Sequence, residues 1–365
     1  MRKIISVIGA RPQFIKTSMV SNKLNLLPNI EEIIIHTGQH FDKNMSDIFF
    51  QQLNIPKPKY NLNINSGNHG EMTGKMIIEL EKVLLIEKPD LVILYGDTNS
   101  TLAGAISASK LKIPIAHIES GLRSFCFGMP EEINRIVTDR LSTLLFTPSE
   151  IAANQLKNEG VDPLKIFTVG DVMYDAALYY GSLSNKNSIS NKLIRNVITS
   201  KKYCLVTVHR AENTDEVNIF NIIIKSLNRL SQDLKVIFPI HPRSLKVLKQ
   251  LDVYKFLSSN FIIIDPVSFL EMIELEKNAS LIITDSGGVQ KEAFFYKVPC
   301  VTIRNETEWT ELIDFGWNKL SPPSNSDKLY MDYISMLGIK GKKNKLYGNG
   351  DSANQIVKTI QNYFA

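Results

Sequence analysis

The chain has 365 residues, 42 Lys+Arg against 37 Asp+Glu, and 44% hydrophobic residues. At roughly 100–200 residues per domain that length favours two domains, and 22% charged residues is too little charge bias for a disordered chain. A net charge of +5 permits an anionic ligand but lacks the clustered basic excess of a nucleic-acid binder, and no run approaches the roughly 20 apolar residues of a membrane span.

The first apolar run, Ile4–Ile8, follows Arg2-Lys3 and so imitates a signal-peptide start. It is too short for one and runs into Arg11-Pro12, so a buried strand fits better. Further runs follow at Glu32–His36, Leu91–Tyr95, Ile113–Ile118, Leu144–Phe146 and Ile166–Val169. A second set comprises Tyr203–Val208, Lys235–Ile240, Phe261–Ile264, Leu281–Thr284 and Cys300–Ile303. Short apolar runs without alternation predict strands covered on both faces, hence parallel sheets in βαβ units. Helical patterns lie between them at Asp42–Leu53, Gly74–Glu87, Pro130–Leu141, Glu150–Gly160 and Ile219–Leu230. The polar stretch Tyr180–Lys202 reads as the interdomain connection, with a surface helix over Asn191–Thr199. Gly341–Gly350 reads as a loop and Ala353–Tyr363 as a terminal helix. The expected fold class is α/β, two doubly wound parallel-sheet domains facing a cleft. Their bounds are 1–175 and 176–350, with 351–365 as a C-terminal helix.

The residues after each strand carry the chemistry. Gly9-Ala10-Arg11-Pro12, Gly96-Asp97-Thr98, Glu119-Ser120-Gly121, His209-Arg210, His241-Pro242-Arg243 and Asp285-Ser286-Gly287-Gly288 all fall at strand ends. In open α/β sheets that is where the ligand crevice lies. Ser286-Gly287-Gly288 also opens a helix, Val289–Phe295, so its backbone N–H groups offer an anion seat; with Arg11 and Arg210 a diphosphate is the better guess. Glu292 on that helix is close enough to reach a ribose hydroxyl. Asp97, Glu119, Glu131 and Glu132, with His209 from the other half, are the acids and base that proton transfer would use. Taken singly, Glu132 reads more simply as a cap or surface carboxylate. Gly70–Met76 fails as a P-loop, since no Ser or Thr follows Lys75. No GxGxxG follows the first strand, so no dinucleotide cofactor is expected. Cys126, Cys204 and Cys300 form no CxxC, which argues against a disulfide framework and a metal site and for a reducing cytoplasm.

Six ordered motifs resemble a known family: Gly9–Pro12, Gly96–Thr98, His117–Arg123, Pro130–Arg135, His209–Asn213 and Thr284–Gly288. The chain is similar along nearly its whole length to the non-hydrolysing UDP-N-acetylglucosamine 2-epimerases. The resemblance implies two Rossmann-like domains in the GT-B arrangement, a homodimer, a UDP-sugar substrate and no cofactor. It places the acids in the N-terminal domain and UDP binding in the C-terminal one. It implies catalytic roles for Asp97, Glu119, Glu131 and His209. Substrate binding falls to Arg11, Lys16, Arg210, His241, Ser286, Gly287, Gly288 and Glu292, with Phe269 near the uracil.

Two segments depart from better-known members. Thr307-Glu308-Trp309-Thr310-Glu311 stands where those carry Thr-Glu-Arg-Pro-Glu, and Phe41–Met45 lacks residues used for allosteric activation. Both resemble the branch acting on UDP-2,3-diacetamido-2,3-dideoxy-glucuronic acid, a precursor of bacterial surface polysaccharides such as O-antigen. UDP-N-acetylglucosamine is the alternative substrate. A GT-B glycosyltransferase, a hydrolysing epimerase and a sugar-nucleotide sensor are the alternative functions.

Overall fold

Apolar runs with no polar alternation become strands whose two faces are both covered. In the computed structural model, which describes residues 1–39, 53, 55–184, 192–200, 202–342 and 344–365, they build two separate parallel sheets. The first holds β1 (Arg2–Ile8), β2 (Ile30–His36), β3 (Tyr60–Asn61), β4 (Leu91–Tyr95), β5 (Ile115–Ile118), β6 (Leu144–Thr147) and β7 (Ile166–Thr168). Its order is β3-β2-β1-β4-β5-β6-β7, parallel throughout. The second holds β8 (Tyr203–Thr207), β9 (Lys235–Pro239), β10 (Phe261–Ile264), β11 (Leu281–Thr284), β12 (Cys300–Thr302) and β13 (Asn318–Leu320). Its order is β10-β9-β8-β11-β12-β13, also parallel.

The period of two is visible in the second sheet. Cys204 and Val206 of β8, with Leu281 and Ile283 of β11, face one core cluster. Tyr203, Leu205 and Ile282 face another on the opposite side. Strand edges agree with the sequence reading to within about two residues, but β3 and β13 escape it, being short and polar. The expected helix over Asp42–Leu53 lies, except for Leu53, outside the described residues, as do the Phe41–Met45 segment and 185–191 of the connection.

The chain divides into two compact units, Met1–Ala176 with Lys345–Ala365, and Ala177–Asn344. Residues 345–350, read from sequence as part of the second domain, therefore lie with the first. The last helix, Ser352–Phe364, is fastened there because the Asp175 carboxylate accepts from the N–H groups of Ser352 and Ala353 at 3.0 and 2.8 Å. Two of that helix's otherwise unpaired N–H groups are thus satisfied from another element.

In each sheet the chain winds outward in both directions from its first strand, so the carboxyl ends of β1 and β4, and of β8 and β11, flank a topological switch point. Helices reinforce the geometry. In Asn99–Lys110 the small residues Ala103, Ala105 and Ala108 join the first unit's core, and a Cβ on Gly104 would overlap Leu94.

Helix His69–Glu87 is pinned at its far end by a carboxylate. Glu87 accepts from Lys3 Nζ at 2.9 Å, Lys59 Nζ at 2.5 Å and the Tyr60 hydroxyl at 2.6 Å. These donors, the Lys59 ammonium first, bring its pKa down from 4.5 to about 2. Because the folded value is the lower one, the stability it contributes is present above 4.5 and is lost as pH falls toward 2. Glu87→Gln should lower stability at pH 7 by about 1–2 kcal/mol, discounted for the solvent-exposed lysines. Urea titrations from pH 7 to pH 2 should also show a flatter acid limb for the variant.

Candidate active site

The turn after β1 is Gly9-Ala10, and both N–H groups aim at one acceptor, Gln13 Oε1, at 2.7 and 3.0 Å. Gln13 Nε2 then donates to the Tyr95 carbonyl at 2.8 Å and to Thr98 Oγ1 and Thr101 Oγ1, both at 3.0 Å. This buried amide stitches the ends of β1 and β4 across the switch point. A Cβ on Gly9 would overlap the hydroxyls of Thr37 and Ser100, so glycine is required by close approach.

Beyond β4 the backbone turns at Gly96, φ +64°. A Cβ on it would lie 3.3 Å from Glu119 Oε2 and 3.4 Å from Lys16 Nζ. Those two groups form a buried ion pair over Gly96. The next residue, Asp97, accepts from Arg135 Nη2 at 2.5 Å, and its carbonyl accepts from Asn134 Nδ2 at 2.9 Å. Arg135 also reaches Glu132 Oε2 at 3.1 Å. Glu132 in turn accepts from the Ser124 and Phe125 N–H groups and the Ser124 hydroxyl, each at 2.9 Å. With its carboxylate spent on that turn, where Phe125 sits at φ +57°, Glu132 is an anchor. Glu131 is half-buried and has no hydrogen-bond or ion-pair partner among the described residues. Pro130 and the two glutamates in the first turn suit the positive end of helix Pro130–Leu141.

The second unit is organised around Asp285, which has no exposed surface at the end of β11. Its carboxylate accepts from the His209 N–H at 3.0 Å, the Arg210 N–H at 3.0 Å and Asn213 Nδ2 at 3.0 Å, and lies 3.1 Å from His209 Nδ1. Burial alone would push this carboxyl up; the His209 imidazole, Asn213 and the Arg210 N–H outweigh it and hold it below the usual carboxylate range. The His209 side chain is left 58% exposed.

Ser286 then caps the nine-residue helix Gly287–Phe295, whose first turn carries no acid. A Cβ on Gly288 would meet nothing nearer than Ser286 Oγ at 4.0 Å, whereas one on Gly287 would overlap the Glu308 carboxylate. The open backbone at a helix start is an anion seat. Gln290 ties in the segment after β12. Its Oε1 accepts from Thr307 Oγ1 at 2.7 Å and Asn318 Nδ2 at 3.0 Å. Arg304 Nη1 pairs with Glu308 at 2.9 Å, and Lys291 Nζ lies 4.0 Å over the Trp309 ring.

Of the residues expected from sequence, Lys16, Asp97 and Glu119 gather around Gly96, and His209, Arg210 and Ser286 gather around Asp285. Arg11 opens helix Arg11–Leu24, and Glu292 lies part-exposed on Gly287–Phe295. Exposed His241 follows β9, and Phe269, buried edge-on to Tyr180 at 5.3 Å, follows β10, so they sit one and two strands away from β8. Gln13, Asn134, Arg135 and Asn213 were missed as site residues. Arg135 had a signal: three residues beyond Glu132 on a helix, it had to share that face.

Two doubly wound parallel-sheet units, one with ion-paired carboxylates at its switch point and one with a glycine-led helix start, define an α/β enzyme of the Rossmann-like type. A family model described as UDP-N-acetylglucosamine 2-epimerase matches residues 22–361. The chain belongs to that family and is an isomerase. It is 51% identical to a UDP-N-acetylglucosamine 2-epimerase homolog of Methanococcus maripaludis, over 99% of each chain. It is 48% identical to the UDP-2,3-diacetamido-2,3-dideoxy-D-glucuronate 2-epimerase of Pseudomonas aeruginosa, over 98% of this chain and 99% of the other. The crystal structure of Methanocaldococcus jannaschii UDP-GlcNAc 2-epimerase in complex with UDP-GlcNAc and UDP superposes with a TM-score of 0.87, at 47% identity over 99% of each chain.

Asp285→Asn keeps the shape but loses the charge and turns an amide N–H₂ toward backbone donors. It should destabilise the protein by about 2–3 kcal/mol, read by chemical denaturation. The wild-type contribution is present above the unfolded pKa of about 3.9 and is lost below it, so the deficit of the variant should shrink in strong acid.

Proposed function

We propose that the chain inverts C2 of a UDP-2-acetamido sugar without hydrolysing it, and that the sugar is UDP-2,3-diacetamido-2,3-dideoxy-glucuronic acid. The C2 hydrogen of a pyranose is not acidic by itself. As the C1–O bond to UDP breaks, developing oxocarbenium character acidifies C2–H and a carboxylate takes the proton, leaving a 2-acetamidoglucal and UDP. Protonation at C2 from the opposite face and re-addition of UDP at C1 give the epimer. No redox step occurs and no cofactor is used.

The observation that carries this reading is the trio of carboxylates near Gly96 and the first turn of Pro130–Leu141: Asp97 and Glu119 each paired with a cation, Glu131 without a partner among the described residues. We assign proton transfer to Asp97, Glu119 and Glu131 with His209. We assign the diphosphate to Arg11, Lys16, Arg210 and the N–H groups of Ser286, Gly287 and Gly288. Such preorganised donors stabilise a leaving anion where its charge develops. Glu292 takes the ribose, Phe269 the uracil, and His241 completes the substrate-binding set.

Support for the diacetamido uronic acid comes from the segment Thr307–Glu311. It departs from the better-known members and is held by Gln290 and Arg304 against the helix start where the diphosphate would sit. The Pseudomonas aeruginosa relative acts on that sugar. UDP-N-acetylglucosamine is the second reading, favoured by the Methanocaldococcus jannaschii structure that holds it. We further place the enzyme in the cytoplasm as a homodimer. Cys126, Cys204 and Cys300 are free, and no helix among the described residues is long and apolar enough to cross a membrane.

Incubation with each UDP-sugar in deuterated water, followed by proton NMR, tests both levels. Epimerisation places deuterium at C2, and the preferred sugar turns over faster. Absence of C2 deuterium with either sugar would sink the epimerase reading, and free sugar as the main product would make the enzyme a hydrolase. Glu119→Gln and Glu131→Gln should each lower turnover by at least about 100-fold. UDP affinity by calorimetry should stay within about twofold of wild type.

A further inference from the structure

We propose that His117 is a positioning residue for this reaction: held as a doubly protonated imidazolium, it joins Asp139 in clamping together the two loops that carry Asp97 and Glu119. The proposal rests on the reading of those acids as the proton-transfer groups.

His117 lies in β5 with no exposed surface. Its Nε2 is 2.8 Å from the Gly96 carbonyl and its Nδ1 is 2.7 Å from Asp139 Oδ1. A carbonyl oxygen can only accept, so Nε2 carries a proton. The other carboxylate oxygen of Asp139 accepts from the Gly121 N–H at 3.1 Å and from Arg123 Nη1 at 2.8 Å. With a guanidinium and a backbone N–H both on Oδ2, Asp139 is a carboxylate whose Oδ1 can only accept, so Nδ1 donates as well.

Arg123 also makes a forked pair with the part-exposed Glu159, at 2.8 Å to each oxygen, which fixes the guanidinium against Asp139.

The clamp touches both catalytic loops at their backbones. Through Gly96 it holds the residue just before Asp97, the same residue over which Lys16 and Glu119 pair. Through Gly121 it holds the turn that begins at Glu119. Glu119 itself sits at φ +72°, a left-handed conformation rare for a non-glycine residue. Such a conformation persists only where its surroundings over-determine it. Here the turn is held by Asp139 on Gly121 and by the Phe146 carbonyl, which accepts from the Glu119 and Ser120 N–H groups at 3.1 Å each.

The test has two arms. Nitrogen-15 NMR of the wild-type enzyme without substrate should show two ring N–H protons on His117 at neutral pH; a ring with one bare nitrogen would overturn the proposal. His117→Gln, which keeps one donor but no charge, and Asp139→Asn should each lower kcat for epimerisation by at least about tenfold. KM and UDP affinity should remain within about twofold of wild type. Unchanged kcat in both folded variants would overturn the proposal. So would losses of kcat and UDP affinity that fall together in step with the unfolding midpoint, since a purely structural role predicts that pattern. Because the ring protonation needs no turnover, a wild-type enzyme that fails to exchange C2 would sink the epimerase reading while the NMR arm still decides the state of His117.

Discussion

Asp285 sits at the end of β11 with no exposed surface and gathers the His209 and Arg210 N–H groups and the Asn213 amide from the segment that follows β8. The first unit solves the same problem with a neutral side chain, Gln13, which accepts from the turn after β1 and donates to the end of β4. The shared problem comes from the doubly wound sheet. At the switch point neighbouring strands lead into helices on opposite faces, so the backbone groups at their ends have no strand or helix partner. One buried side chain must satisfy them. Once it does, the loops on either side are held, and the groups beside them, Asp97 and Glu119 in one unit and His209 and Ser286 in the other, occupy defined positions.

The cost of this arrangement is buried and half-buried charge. In the first unit three cations serve four acids near the switch point: Lys16 pairs with Glu119, Arg135 with Asp97 and Glu132, and Arg123 with Asp139. Isolated charges would be far more expensive than these pairs. In the second unit the buried Asp285 is met by N–H groups and an exposed imidazole.

Relatives of almost equal identity act on different sugars, 48% to an enzyme for the diacetamido uronic acid and 48% to one for UDP-N-acetylglucosamine. Overall similarity therefore does not choose between the sugars. Gln290, Arg304 and Lys291 hold the segment Thr307–Glu311 beside the helix start.

The strands, their parallel character and the helix starts were legible from residue order because they depend on local periodicity: an apolar run such as Leu91–Tyr95 is buried whatever surrounds it. The motifs at strand ends were legible for the same reason, since a loop residue one step past a strand has few places to go. Partnerships across the chain were not. Lys16 and Glu119 are 103 residues apart, Gln13 and Tyr95 82, His209 and Asp285 76. Nothing in local patterning says that Glu132, and not its neighbour Glu131, is consumed by Ser124 and Phe125, or that the chain after Asn344 returns to its first unit. Hydrophobic burial is decided residue by residue along the chain, whereas the pairing of charges and hydrogen bonds is decided by distance in space, and only the folded sheets bring those residues within reach.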